Sequence, residues 1–392
     1  MEIYTLDALY RRNRLIEKHE SFIWTERFQA WGDFTISLQS TRENRNLLPT
    51  GTWIAHSDSH RVMIVETVED ITDDEGRSIL RVSGRSLEAI LDSRLARNNL
   101  ADLTSETKWI FTALPAAIAL TIFNDICTDG DLDDGDVLPV VEETPGVVYP
   151  IDTYPEPSTP ITYEMEPQTL YTALKTLCEI SDMGFRMYRD GDSGVLYFGV
   201  YMGSDRSTLQ TTLPAVVFSP DLDNLKNTSE LTTTAFYKNV AYVISPVGHE
   251  VVYALDVDPS ISGFDRKVLF VRADDITDVD PGDATDRMIQ RGTEALAKAR
   301  RYTGFDGVIS QNAQYKYGID YFLGDTIDLQ SKSGSISIMR VTEQIFVSDG
   351  EGERSYPTLS LDRFIEPGSW DAWPPGEVWD AVDPDLVWDD AE

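Results

Sequence analysis

Apolar and polar positions alternate through much of the first ninety residues. Phe34, Ile36 and Leu38 interleave with Thr35, Ser37 and Gln39, the period of two of a half-buried strand. The stretches 61–69 and 78–82 also read as strands, on either side of Asp73-Asp74-Glu75-Gly76. A glycine closing that acidic turn supplies the positive φ that a bulged hairpin needs. The stretch from Arg27 to Arg85 therefore reads as the core of a small antiparallel barrel, followed by a candidate helix at 86–93.

The period then changes. A helical pattern runs from Thr104 to Cys127, and Pro115 is expected to divide it into two helices. Periodicity is lost over 128–160, where Asp129, Asp131, Asp133, Asp134 and Asp136 crowd together and six prolines follow. That composition predicts a long exposed arm. A second helix opens at Glu166-Pro167-Gln168, with Leu170, Leu174, Leu177 and Ile180 as its apolar face. A hairpin over 185–201 completes an α+β unit. After Pro220 strands are expected at 235–244 and 250–255, then a helix at 285–301 with Met288, Ile289, Leu296 and Ala299 as its apolar candidates. Strands at 308–314, 315–317, 325–329, 336–346 and 356–361 would close a second module.

These patterns predict a mainly β chain with an α+β insertion: two antiparallel β-barrel-like domains, the inserted α+β domain and an extended C-terminal tail. The first barrel spans 1–99 and is completed by 205–228. The insertion is 100–204 and carries the acidic, Pro-rich arm 128–160. The second barrel is 229–362, and the tail is 363–392.

The tail has its own pattern. Trp370-Asp371, Trp379-Asp380 and Trp388-Asp389 recur every nine residues, with Trp373 between the first two. Four prolines exclude one regular helix. Spaced tryptophans on extended chain suit docking into pockets of another subunit. The tail could also fold back on its own domain, or hang free with exposed tryptophan as a liability.

Composition sharpens this. The 392 residues are 41% hydrophobic and 26% charged, the balance of a globular protein. No apolar run approaches eighteen residues and the start lacks a basic segment, so membrane insertion is not expected and synthesis in a cytoplasm is. The net charge is −34, which repels nucleic acid and anionic membranes. Stable DNA binding is disfavoured, although DNA could still pass by. Residues 1–100 carry 16 acids and 13 bases, 101–204 carry 18 and 4, and 361–392 carry 10 and one. The two cysteines, Cys127 and Cys178, are too few for a disulfide framework and read as packed thiols, with a bridge as the alternative.

Candidate chemistry is sparse. The Asp129–Asp136 run fails the calcium-loop pattern, because Gly135 falls at position 7 and Val140 at position 12. A solvated acidic loop is the better reading than an irregular cation site. His56 and His60 stand four apart in a strand-and-turn context without the His-Glu-x-x-His motif. Gly-x-Ser-x-Gly, Walker and Gly-x-Gly-x-x-Gly patterns are absent. Among 67 acids, accidental carboxylate pairs are inevitable, so glycoside hydrolysis has almost no specific support. No catalytic residue, cofactor or metal is assigned.

Several stretches, in order, resemble the siphophage Gp37-like minor tail proteins. They are Phe28-x-x-Trp31-Gly32-Asp33-Phe34, Arg61-Val62-Met63-Ile64-Val65-Glu66, Gly84-Arg85-Ser86-Leu87 and Tyr201-Met202-Gly203-Ser204-Asp205-Arg206. Phe218-Ser219 with Asn224-Leu225, Asn239-Val240-Ala241-Tyr242-Val243, Tyr321-Phe322-Leu323-Gly324-Asp325 and Arg340-Val341-Thr342-Glu343 continue the series. The resemblance implies a tail-tip or baseplate hub of a long-tailed bacteriophage. It implies two hub barrels with inserted α+β domains, and a homotrimeric ring below the tail tube through which DNA leaves. The implied partners are the distal tail or tube protein and fibre or central tip proteins; the implied location is the virion tail tip. Family hubs often continue into a lysin or fibre-binding region, whereas this sequence stops about thirty residues after the expected second barrel. An appended hydrolase is therefore not expected. Two alternative classes are a binding module for host-surface glycan, using the arm or the tail, and, with less support, a carboxylate hydrolase.

Overall fold

The computed structural model describes residues 1–72, 76–98, 108–128, 134–143, 159–191, 193–254, 257–274, 276–277, 281–299, 302–309, 314–332 and 336–365. The chain divides into two units. One holds Met1–Lys226 and the strands that follow Ile309, and the other is built from Asn227–Val308.

The first unit opens with β1 (Ile3–Leu6), β2 (Arg12–Leu15), β3 (His19–Arg27), β4 (Asp33–Gln39), the short helix α1 (Arg42–Leu47), β5 (Trp53–His56), β6 (Met63–Thr72) and β7 (Ser78–Ser86). The alternation read from the sequence is real: β4 buries Phe34, Ile36 and Leu38 and leaves the residues between half-exposed. β3 pairs with β4 so that Trp24 faces Phe34 and Phe22 faces Ile36. These side chains share a core with Val65, Leu80 and Val82, each large one contributing roughly 1.5–3 kcal/mol by burial. Gly76 has φ +79°, as the turn requires; residues 73–75 lie outside the described set.

The expected insertion is fused to this sheet. A 3₁₀ turn at Leu87–Ser93 replaces the expected helix and leads to β8 (Leu95–Ala96). Trp109–Ala113 is a strand, β9, where a helix was expected, because its aromatic and β-branched residues favour extended backbone. Helix α2 (Pro115–Cys127) begins at the proline that was expected to break it. At a first helical position the missing N–H costs nothing and the fixed φ helps. β10 (Val140–Glu142), β11 (Ile161–Met165), β12 (Gln168–Thr169), α3 (Leu170–Ile180), β13 (Gly184–Arg189) and β14 (Leu196–Tyr201) follow. β10 pairs in parallel with β14, so the 128–160 stretch is not irregular throughout. Thr169 caps α3 through its side chain. Leu170, Leu174 and Leu177 are buried, but Ile180 faces water. The Phe123 and Phe198 rings stack at 3.8 Å in a core that also takes in Tyr4, Leu6 and Ala55. β15 (Val217–Phe218) then joins the large sheet.

The second unit contains most of β16 (Leu225–Thr233), β17 (Val240–Ser245), β18 (Gly248–Tyr253), β19 (Val268–Arg272), α4 (Pro281–Lys298) and all but the last residue of β20 (Tyr302–Ile309). β17 lies between antiparallel β18 and parallel β19, while β16 pairs with β20. α4 begins four residues before the expected start. Its Ala284, Met288 and Leu296 pack on Ala241, Val243 and Val252.

The last three strands correct the domain plan. β21 (Thr326–Gln330), β22 (Ile336–Asp349) and β23 (Gly352–Ile365) belong to the first sheet. β22 pairs with β3 from Glu343↔Arg27 to Ser348↔Phe22. This places Phe346 in the core beside Phe22 and Trp24. The result is one 11-stranded sheet, ordered β15-β21-β22-β3-β4-β7-β6-β5-β1-β2, with β23 also on β22. No ladder among the described residues joins β2 to β15, so the expected barrels are not closed. No described helix is long and apolar enough to cross a membrane.

Candidate assembly interface

The residue types that could have carried chemistry serve the core. His56 is fully buried, its ring edge-on to Trp24 at 4.8 Å and to Phe346 at 4.7 Å. Burial holds its imidazole down to about 3, so it is neutral. Burial also lowers His60 and His19. Cys127 and Cys178 are free and buried. Burial pushes the Cys127 thiol up to about 12 and the Cys178 thiol up as well. Among the described residues no group of three potential ligands could hold a metal ion.

Residues far apart in sequence converge on Phe28. Its backbone N–H donates to Thr342 O at 3.0 Å and its carbonyl accepts from Phe185 N at 3.3 Å. Its ring meets Tyr201 edge-on at 5.4 Å. A Cβ on Gly184 or Gly324 would collide with that ring. Gly324 N donates to Val341 O, and Arg340 donates to Gly324 O, both at 2.8 Å. Arg27 donates to Glu343 at 2.6 Å and to Asp33 at 2.5 Å.

Buried charge locks the same joint. Arg206 donates to Asp325 Oδ2 at 2.8 Å, and Asp325 also accepts from Ser204 N at 2.7 Å and Phe322 N at 2.9 Å. Burial raises the Asp325 carboxyl, and these donors oppose the rise. Asp328 accepts from Thr208 N at 3.0 Å. Ser219 N donates to Asn224 Oδ1 at 2.7 Å. In the second unit, Asn239 Oδ1 accepts from Lys267 N at 2.7 Å. The motifs thus act as structural staples, because buried charges and amides hold only where their partners are supplied.

Sequence reading missed two further pairs. Arg61 is bonded to Glu88, whose Oε1 also accepts from Met187 N at 2.8 Å. Arg186 donates to Glu143 Oε2 at 3.2 Å. The available signal was a charge inside an apolar run, as in Leu87-Glu88-Ala89 and Phe185-Arg186-Met187.

The acidic arm and the strap hold the remaining sequence candidates. Of the acidic arm, Asp134 and Asp136 belong to a 3₁₀ turn; Asp129, Asp131 and Asp133 lie outside the described residues. Asp136 accepts from Arg97 at 3.3 Å and lies 3.5 Å from Arg94 Nε, so it is tied to the fold. The strap residues Trp370, Trp373, Trp379, Trp388, Asp371, Asp380 and Asp389 also lie outside the described set. β2 ends the large sheet, and all four of its residues are exposed. Beside it is a groove of about 650 Å³ lined by Thr5, Asp7, Tyr10, Arg14, Leu47 and Trp53, among others. The Tyr10 and Trp53 rings lie 4.7 Å apart there.

No curated protein matches the chain significantly. The fold is similar to that of a solved tail protein from Neisseria meningitidis MC58. The two are 14% identical with a TM-score of 0.52, covering 92% of this chain and 96% of that one. It is similar also to the 43 kDa tail protein of prophage MuSo2 from Shewanella oneidensis. That pair is 13% identical with a TM-score of 0.52, covering 92% and 98%. The family model described as Siphovirus ReqiPepy6 Gp37-like protein matches residues 1–358. The chain therefore belongs to the siphovirus Gp37-like family and has the fold of phage tail proteins.

Proposed function

We propose that this protein is a structural hub subunit at the tip of a phage tail, and not an enzyme. One observation carries the reading: four of the motifs, in residues 28–34, 201–206, 321–325 and 340–343, meet as buried staples around Phe28 and Asp325. Rigid joints of this kind suit a subunit that must hold its shape under load. Three copies would form a ring below the tail tube, contacting the distal tail or tube protein. The charge of −34 per copy would let DNA slide through such a ring without adhering. The tail strap, through Trp370, Trp373, Trp379 and Trp388 and their neighbouring Asp371, Asp380 and Asp389, would dock on another subunit of the tip, and fibre or receptor-binding proteins would attach at the assembled ring.

Native mass spectrometry tests the reading. The full chain, alone and with its tail-tube partner, is expected to give a trimer. A persistent monomer in both samples would overturn the hub. Removing residues 367–392 should leave the melting temperature unchanged and abolish assembly with the partner. Normal assembly of the shortened chain would remove the strap from the proposal.

A further inference from the structure

We infer that the Arg11–Arg14 edge of the large sheet is the receiving surface for the C-terminal segment 366–392, delivered by a neighbouring copy of the chain. The inference rests on the assembly reading above and identifies where the strap docks.

The edge is open and basic. β2 has β1 as its one ladder partner among the described residues, so its outer backbone groups can pair with an added strand. Arg11, Arg12 and Arg14 fall within four positions of a chain whose net charge is −34. All three are exposed. Arg11 and Arg14 form no side-chain ion pair among the described residues. Arg12 meets Glu2 at 3.5 Å, with side chains 55% and 65% exposed, and such a surface pair is worth little. Leu9 and Leu15 are exposed on the same hairpin. The adjoining groove is lined by the paired Tyr10 and Trp53 rings and by Arg14, together with Asp7. An aromatic pair sharing a groove with a cation is suited to an indole.

The segment complements that surface. Residues 366–392 contain nine acids, four tryptophans and no lysine or arginine. Two proline-free windows, 376–383 and 385–392, each contain Val-Trp-Asp. Valine and tryptophan favour strands, and the following aspartate would meet the arginines. Twenty-seven residues span up to about 90 Å when extended. Rival edges fit less well. β23 contains Pro357, which lacks a ladder N–H, and its Glu353 and Arg354 offset each other. β15 is two residues long.

The test uses the full chain with photo-crosslinking benzoylphenylalanine at position 379, prepared as an equal mixture of ¹⁴N and ¹⁵N copies. Crosslinks are expected in peptides covering residues 5–15 or 46–53, with mixed-isotope pairs present. The triple variant Arg11→Glu, Arg12→Glu, Arg14→Glu should lower the yield about tenfold or more, while Arg354→Glu should not. Molar salt on the unaltered edge should also lower it, which keeps the test valid if the triple variant misfolds. Crosslinks elsewhere, or a yield indifferent to both charge reversal and salt, would overturn the inference. If native mass still shows the oligomer in that case, the hub reading stands alone. Same-isotope pairs only would overturn delivery by a neighbour.

Discussion

Arg206 and Asp325 are joined by a 2.8 Å hydrogen bond across 119 positions of sequence. Their side chains are only 11% and 3% exposed. Arg206→Ala strands a buried carboxylate, and removing one partner of a buried pair costs about 3–5 kcal/mol. Chemical denaturation should show a loss of that size with an unchanged m-value. Arg206→Met combined with Asp325→Leu should recover much of it, because no charge is left unpaired. A single-variant loss under about 1 kcal/mol would mean that water already compensates the pair.

Gly324 has φ +89°, and any Cβ there meets the Phe28 ring. Gly324→Ala should cost about 1–3 kcal/mol from overpacking, with left-handed backbone strain adding about 1–2 kcal/mol. Gly350→Ala is the control, since nothing lies within 4 Å of its Cβ. Thermal melts of the two variants should differ by several degrees. Equal melting temperatures would refute the close approach of Phe28 and Gly324.

His56 makes stability depend on pH. In the unfolded chain it takes up a proton below its ordinary value of 6.5, whereas in the fold it stays neutral down to about 3. Between those values the unfolded state holds more protons, so stability falls as pH falls, by up to about 1.4 kcal/mol per pH unit. Unfolding free energies between pH 6 and 4 should fall more steeply for the wild type than for His56→Leu. Parallel slopes would show that His56 does not enter the core uncharged.

The two thiols should be silent in the folded protein. Cys127 and Cys178 are buried, and burial keeps both protonated. A thiolate-specific reagent at pH 8 should label neither until denaturant is added, and then both. Rapid labelling of the native protein would place a thiol at the surface.

Local features of the fold were legible in the residues themselves. The alternation of β4, the Gly76 turn and the Leu170–Leu177 helix face each depend on neighbours within a few positions. Pro115 reads from the sequence as a break between two helices, whereas in the fold it begins one. Whether a proline interrupts a helix or begins one depends on whether the preceding residues are helical. Here Trp109–Ala113 pairs instead with β11.

By itself, then, the sequence determined a mainly β chain without recognised catalytic motifs, with ordered motifs and an acidic, tryptophan-bearing end. Only the tertiary structure decided that β22 lies against β3, so that the strands expected to close a second barrel extend the first sheet. It alone also matched Arg206 with Asp325 and Arg61 with Glu88. The reason is physical: periodicity is set by the geometry of adjacent residues, whereas strand partners and buried charges are chosen by side chains that meet only after distant segments come together.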